Sequence, residues 1–242
     1  MKYLARICYD GSKFQGFQRL NNGLGVQNEL ERVLSLIEGK EVVVKGAGRT
    51  DAGVHALDQC IHFSLSVDID MEKLKYAMNR LLSPFIAVKS IVSVSSEFHA
   101  RHDVVCKKYV YKIYLGEKNP FYSLYSFAYY QDFDLDLANA CCKLFVGVHD
   151  FRNFVAGERD DYHSEIFSFQ ILKKDDFYYF EIVGKSFYRY MVRKLVGAVL
   201  DVASHKANLD DVRDALNCLS ARGFSTVPAN GLYLTSVSYD KV

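Results

Sequence analysis

Asp51 stands in Gly46-Ala47-Gly48-Arg49-Thr50-Asp51-Ala52-Gly53-Val54-His55-Ala56, where three glycines and one acid separate two apolar runs, Val42-Val43-Val44 and Gln59 to Leu65. Glycine permits positive φ and close backbone approach, so the chain makes a tight excursion here, and loops on a rigid scaffold are where chemistry tends to sit. A turn aspartate that bonds its own loop amides is the commonest use of such an acid. A dinucleotide loop fails because the third glycine position holds Asp51, which would repel a pyrophosphate, and because a strand rather than a helix follows. A P-loop is excluded, since no Gly-Lys-Ser/Thr follows. What remains beside the turn is a carboxylate nucleophile or general base on an exposed loop next to Arg49. To act so, Asp51 must stay ionised when substrate covers it, which calls for a nearby cation.

The segment from Gly184 to Gly197 offers that cation. Phe187, Met191, Leu195 and Ala198 predict the inward stripe of a helix over about 187–203, with Arg189 and Arg193 four apart on a different face. Arg189 and Lys194 suit a solvated basic face. Arg193 lies among Val192, Val196 and Gly197, a setting for partial burial, and a buried guanidinium needs a carboxylate partner that the sequence does not name. Tyr109 and Tyr111 share one face of a strand; core packing is the default for both. The basic residues Arg101, Lys107, Lys108 and Lys112 around them hint at a phosphate-lined groove. The histidines show no metal-ligand spacing and no serine sits in a Gly-x-Ser-x-Gly elbow, so neither a metal nor a serine hydrolase is expected.

Strands and helices must position these residues. Residues 2–9 read as a strand ending at Asp10-Gly11, and Ser12 to Arg19 as a loop whose exposed side chains serve recognition. Val26, Leu30, Val33, Leu34 and Ile37 fall on one helical face that stops at Gly39. Strands follow at 41–45 and 59–65. Asp68 or Asp70 caps a helix with Met71, Leu74, Met78, Leu81 and Leu82 inward, ended by Pro84. Another strand covers 86–94. The second half then starts again, since Lys107 to Gly116 reads much like Lys2 to Gly11. Helices at 136–146, about 187–203 and about 209–219, a hairpin of 166–172 and 177–183, and a closing strand from Leu232 to Tyr239 complete it. Two successive mixed sets predict two α+β halves from a diverged duplication, 1–104 and 105–242, with a cleft between them.

Composition narrows the class. The 242 residues are half hydrophobic and 24% charged, with a net charge of +1, so the chain is not basic throughout, although a balanced total can hide a basic stripe. There is no apolar run of membrane-spanning length, and the first residues read as a strand rather than a signal peptide. Six scattered cysteines without a C-x-x-C pair fit reduced core thiols, which points to the cytoplasm. The 17 Tyr and 17 Phe suit base stacking as well as a β-rich core.

Taken in order, the motifs resemble the tRNA pseudouridine synthase A family. They are Tyr9-Asp10-Gly11 with Phe14-x-Gly16-Phe17-Gln18, Val26-Gln27, Ala47 to Ala56, Phe98-His99-Ala100-Arg101, Lys108-Tyr109-x-Tyr111, Phe187-x-x-x-Met191-Val192-Arg193-x-x-Val196-Gly197, and Gly231-Leu232-Tyr233-Leu234. The resemblance implies two ferredoxin- or RRM-like α+β halves sharing a continuous, mainly antiparallel sheet, with a basic central active-site cleft that receives tRNA, and a homodimer. It puts Asp51 at the catalytic aspartate, Tyr109 at the tyrosine that stacks on the target base, Arg193 at the arginine that pairs with the aspartate, and Arg49 at the arginine that holds the flipped-out nucleotide's place. The implied reaction converts uridine to pseudouridine at positions 38, 39 or 40 of the anticodon stem-loop, with no cofactor or metal.

Three positions depart from the family pattern: Lys185-Ser186 before Phe187, Arg19 after Gln18, and Gly25 before Val26-Gln27. None touches Asp51, Tyr109 or Arg193, but they leave the target position open. The rivals are a catalytically silent RNA-binding protein on the same scaffold and a synthase acting at another RNA position, with a nucleotide-binding oxidoreductase far behind.

Overall fold

A computed structural model of the chain describes residues 1–117 and 119–240. In chain order the elements are β1 (Lys2–Tyr9), α1 (Val26–Glu38), β2 (Lys45–Gly46), β3 (His55–Ser64), α2 (Met71–Leu81), β4 (Ile86–Val94), β5 (Val104–Tyr114), β6 (Phe127–Ala128), α3 (Leu135–Leu144), β7 (Gly147–Asp150), β8 (His163–Lys174), β9 (Phe177–Gly184), α4 (Met191–Ala203), α5 (Leu209–Leu216) and β10 (Leu232–Tyr239). The expected α+β class holds. β1 pairs antiparallel with β3 and β4, β2 with β3, β5 with β9, and β8 with β7 and β9, whereas β10 with β3 and β5 with β6 are parallel. The chain forms two compact units, one of Met1–Val105 with the closing strand from Tyr233, the other of Cys106–Leu232.

In the first unit the strands run β4-β1-β3, with β2 and β10 both on the far side of β3. The run β1-α1-β2-β3-α2-β4 with that order is the split β-α-β arrangement of ferredoxin-like folds. Tyr3 pairs with Phe63, Ala5 with Ile61 and Ile7 with Gln59, and these residues are buried. Leu30, Val33 and Leu34 of α1 and Leu74 and Met78 of α2 are fully buried. Each such side chain contributes roughly 1.5–3 kcal/mol relative to exposure. Asp70, not Asp68, caps α2 by accepting the Lys73 N–H at 2.9 Å. Met71 and Leu81 are exposed, so the inward face of that helix is narrower than its apolar positions suggested.

In the second unit the strand order is β5-β9-β8-β7, with β6 beside β5. Tyr109, Tyr111 and Ile113 of β5 alternate inward with Phe180 and Ile182 of β9. α4 begins at Met191 rather than near 187, because Tyr190 takes a left-handed conformation (φ 63°) that no helix interior accepts. Met191, Leu195 and Ala198 are buried as the periodicity predicts, but Phe187, in the segment before the helix, is only half-buried, its ring against Tyr109.

Gly197 is where a second chain segment comes onto α4. A Cβ there would sit 1.7 Å from the Ser225 carbonyl oxygen. The segment is tied down by Asp201, which accepts the Ser225 N–H at 2.8 Å and its hydroxyl at 2.7 Å. Gly197→Ala should therefore displace residues 224–228 and destabilise the protein by about 1–3 kcal/mol, read as a lower midpoint in denaturant unfolding. An unchanged midpoint would mean that the segment is not seated on the helix.

Candidate active site

Asp51 is half-buried on a loop whose backbone the first unit holds at several points. Ala47 N–H donates to the Cys60 carbonyl at 2.8 Å, and Gln59 Nε2 to the Gly48 carbonyl at 3.1 Å. Phe17 N–H donates to the Thr50 carbonyl at 3.1 Å, and Val54 N–H to that of Asp51 at 3.1 Å. Gly53 adopts φ 80°, which lets the chain turn back into β3. A Cβ on Gly11 would lie 1.9 Å from the Val54 carbonyl oxygen, so the turn after β1 packs directly on the loop's exit. The loop is thus a fixed platform. Arg49, two residues before Asp51, is exposed.

Tyr9 and Thr50 meet below this platform, with their oxygens 2.9 Å apart in the buried interior. Burial pushes the Tyr9 hydroxyl up to about 12, against the hydrogen bond with Thr50 that pulls it down, so it is a neutral phenol at physiological pH. Tyr9→Phe removes one buried hydrogen bond and leaves the Thr50 hydroxyl without that partner. The expected cost is about 1–2 kcal/mol of stability, with a several-fold fall in turnover as the residue before Asp51 loosens. Thermal unfolding and steady-state rates check both, and wild-type values for both would remove Tyr9 from the support of the loop.

Tyr109 and Arg193 belong to the second unit. Tyr109 lies in the middle of β5, opposite Ile182, with its ring edge-on to Phe187 at 5.1 Å between centroids. Arg193 is half-buried on the first turn of α4. Its Nε donates to the Val227 carbonyl at 2.8 Å, and its guanidinium lies 4.7 Å from the centre of the Tyr190 ring. The segment laid against Gly197 therefore also orients the guanidinium. Arg189 is exposed, whereas Lys194 donates to the Val155 carbonyl at 2.8 Å rather than facing only solvent.

Some expectations need correction. Phe14 and Phe17 are buried, so the Ser12–Arg19 loop presents only its polar side chains, among them Lys13, Gln15 and Gln18. Arg19 makes a fork to Glu31, with Nε 2.6 Å and Nη2 2.8 Å from its two oxygens. Glu31 also accepts the Val44 N–H at 3.0 Å, and Gln27 Nε2 donates to the Val44 carbonyl at 3.0 Å, so the Val26-Gln27 motif fixes the chain just before the Asp51 loop. A Cβ at Gly25 would be 2.1 Å from the Gln18 carbonyl oxygen, which explains glycine at that departure. Lys107, Lys108 and Lys112 do not line one groove. Lys107 is buried on the Tyr109 face of β5, while Lys108 pairs with Glu181 at 2.9 Å and Lys112 lies 4.0 Å from the centre of Phe177 on the opposite face.

His55 escaped the sequence reading because no metal-ligand spacing includes it; its signal was its place in the same motif as Asp51. Its Nδ1 accepts the Gly11 N–H at 3.1 Å, and its ring stacks on Tyr233 at 4.7 Å. Phe98-His99-Ala100-Arg101 is held by its backbone: Ala100 N–H donates to His62 Nδ1 at 3.0 Å and its carbonyl accepts the Tyr239 hydroxyl at 2.7 Å.

The first unit thus presents the Asp51 carboxylate on a loop whose backbone is held in place. A family model for tRNA pseudouridine synthase matches residues 5–103 and 141–240. The chain belongs to the tRNA pseudouridine synthase family, isomerases of tRNA modification. The tRNA pseudouridine synthase A of Staphylococcus aureus strain MRSA252 is 35% identical over all of this chain and 93% of its own length. That of strain JH1 is also 35% identical, over 92% of its length. Among solved structures, a chain of a Cbf5-Nop10-Gar1 complex aligns with 83% of this chain at 10% identity and a TM-score of 0.35. The alignment spans about half of that chain, 54%. Among the described residues, no helix is long and apolar enough to cross a membrane.

Proposed function

We propose that Asp51 carries the reaction, converting uridine to pseudouridine in tRNA, with Tyr109 stacking on the target base, Arg193 serving as the counter-ion of Asp51, and Arg49 holding the place of the extruded nucleotide. The observation that carries this reading is the clamped loop: a half-buried carboxylate on a backbone fixed at Ala47, Gly48, Thr50 and Asp51 is pre-positioned, as a covalent or basic catalyst must be. The base must first leave its stack, and a tyrosine ring beneath it contributes about 1–3 kcal/mol. The carboxylate then attacks ribose C1′, adds to uracil C6, or takes the C2′ proton. In each case the C1′–N1 bond breaks, the uracil turns and C1′ bonds to C5; the carboxylate is displaced from C1′ by C5, or eliminated from C6, or returns its proton to C2′, the C5 proton leaves and N1 gains one.

The substrate site is uridine 38, 39 or 40 of the anticodon stem-loop. The protein acts in the cytoplasm as a homodimer, with the half of residues 1–104 supplying Asp51 and that of 105–242 supplying Tyr109 and Arg193. Transcripts in which one uridine at a time is retained at 38, 39 and 40 test the target. Pseudouridine confined to those positions is expected. Modification that persists when all three are replaced by cytidine would move the target elsewhere.

A further inference from the structure

The residue that closes the Asp51 loop shows how the loop is held in register with β1. His55 is the first residue of β3 and is buried. The Gly11 N–H donates to its Nδ1 at 3.1 Å. The Asp10 carboxylate lies 3.2 Å from the same nitrogen and is engaged by Ser12, through its N–H at 3.0 Å and its hydroxyl at 2.7 Å. Tyr233 stacks on the ring with planes 19° apart, which fixes its rotation. The absence of a side chain on Gly11 is what lets its amide reach the ring, because a Cβ would strike Val54.

We infer that His55 is a positioning residue for the reaction: its Nδ1, held by the Gly11 amide, sets the exit of the loop and through it the placement of Asp51. The inference rests on the reading of Asp51 as catalytic. It uses one acceptor atom at one place, which makes it testable by exchange. Asparagine puts a carbonyl oxygen close to where Nδ1 stands, whereas glutamine carries its amide out towards the Nε2 position.

Turnover of a tRNA transcript carrying 5-tritiated uridine, measured for His55→Asn, His55→Gln, His55→Ala and Asp51→Ala beside the wild type, decides it. His55→Asn should keep kcat within about 3-fold. His55→Gln and His55→Ala should lose about 10- to 100-fold in kcat with KM for tRNA little changed, the scale expected for small misplacement of a catalytic group. Unfolding curves are taken on all variants. The inference is overturned if His55→Gln turns over normally, if His55→Asn is as slow as His55→Ala, or if the losses match the fraction unfolded at the assay temperature. Normal turnover by Asp51→Ala would instead overturn the catalytic reading itself. An inactive Asp51→Ala beside normal His55 variants would remove only the inference.

Discussion

Asp51→Ala is expected to stop pseudouridine formation, with kcat falling by on the order of 10⁴-fold or more, the scale lost when an enzyme's central reacting group is removed. The backbone contacts of the loop survive that truncation: the Thr50 carbonyl still takes the Phe17 N–H and the Asp51 carbonyl that of Val54. Fold and tRNA affinity should therefore change little, and the loss should appear in kcat rather than KM. Asp51→Asn, which keeps the shape but neither the charge nor the nucleophilicity, should be equally inactive. A variant that binds tRNA normally and still forms pseudouridine at more than about a hundredth of the wild-type rate would assign the chemistry to another group.

Arg193→Met should have the second largest effect, a loss of about 10²–10³ in kcat, comparable to removing one charged or hydrogen-bonding stabiliser from a reaction site. Methionine replaces the bulk of the arginine stem, so packing on α4 should be kept, while the contact from Nε to the Val227 carbonyl is lost. The distinguishing readout is the pH profile. If the guanidinium keeps a carboxylate ionised, its removal moves the acid limb of kcat to higher pH. Arg193→Lys retains the charge but not the Nε donor to Val227, and should fall between Arg193→Met and the wild type. A uniform loss at every pH would instead mean that Arg193 acts by holding Val227 in place.

Long apolar patterns were legible. Val26, Leu30, Val33 and Leu34 placed α1 to the residue at which Gly39 turns left-handed, and the strand expected at 86–94 is observed over those residues. The Asp51 loop was legible because its glycines permit only a few backbone paths. Other features depend on contacts distant in sequence. Only Lys45 and Gly46 pair as a strand where 41–45 was expected, because Val44 is occupied by Glu31 and Gln27 instead of a neighbouring strand. β3 begins at His55 rather than Gln59, since pairing starts as soon as the loop closes. The Ser12–Arg19 loop read as a recognition loop without showing that Phe14 and Phe17 turn inward, because an aperiodic stretch gives no sign of which side faces the core. The part of His55 became visible only once β1 lay beside it.

The most direct test is release of tritium from tRNA labelled at C5 of uridine, in a single turnover with protein in excess, for the wild type and Asp51→Ala. Forming a bond from C1′ to C5 expels the hydrogen at C5, so the signal reports the isomerisation and not binding. Stoichiometric release by the wild type and none by the variant is the predicted result. Equal release by both, or retention of the label by a wild-type protein that binds the tRNA, would contradict the assignment of Asp51.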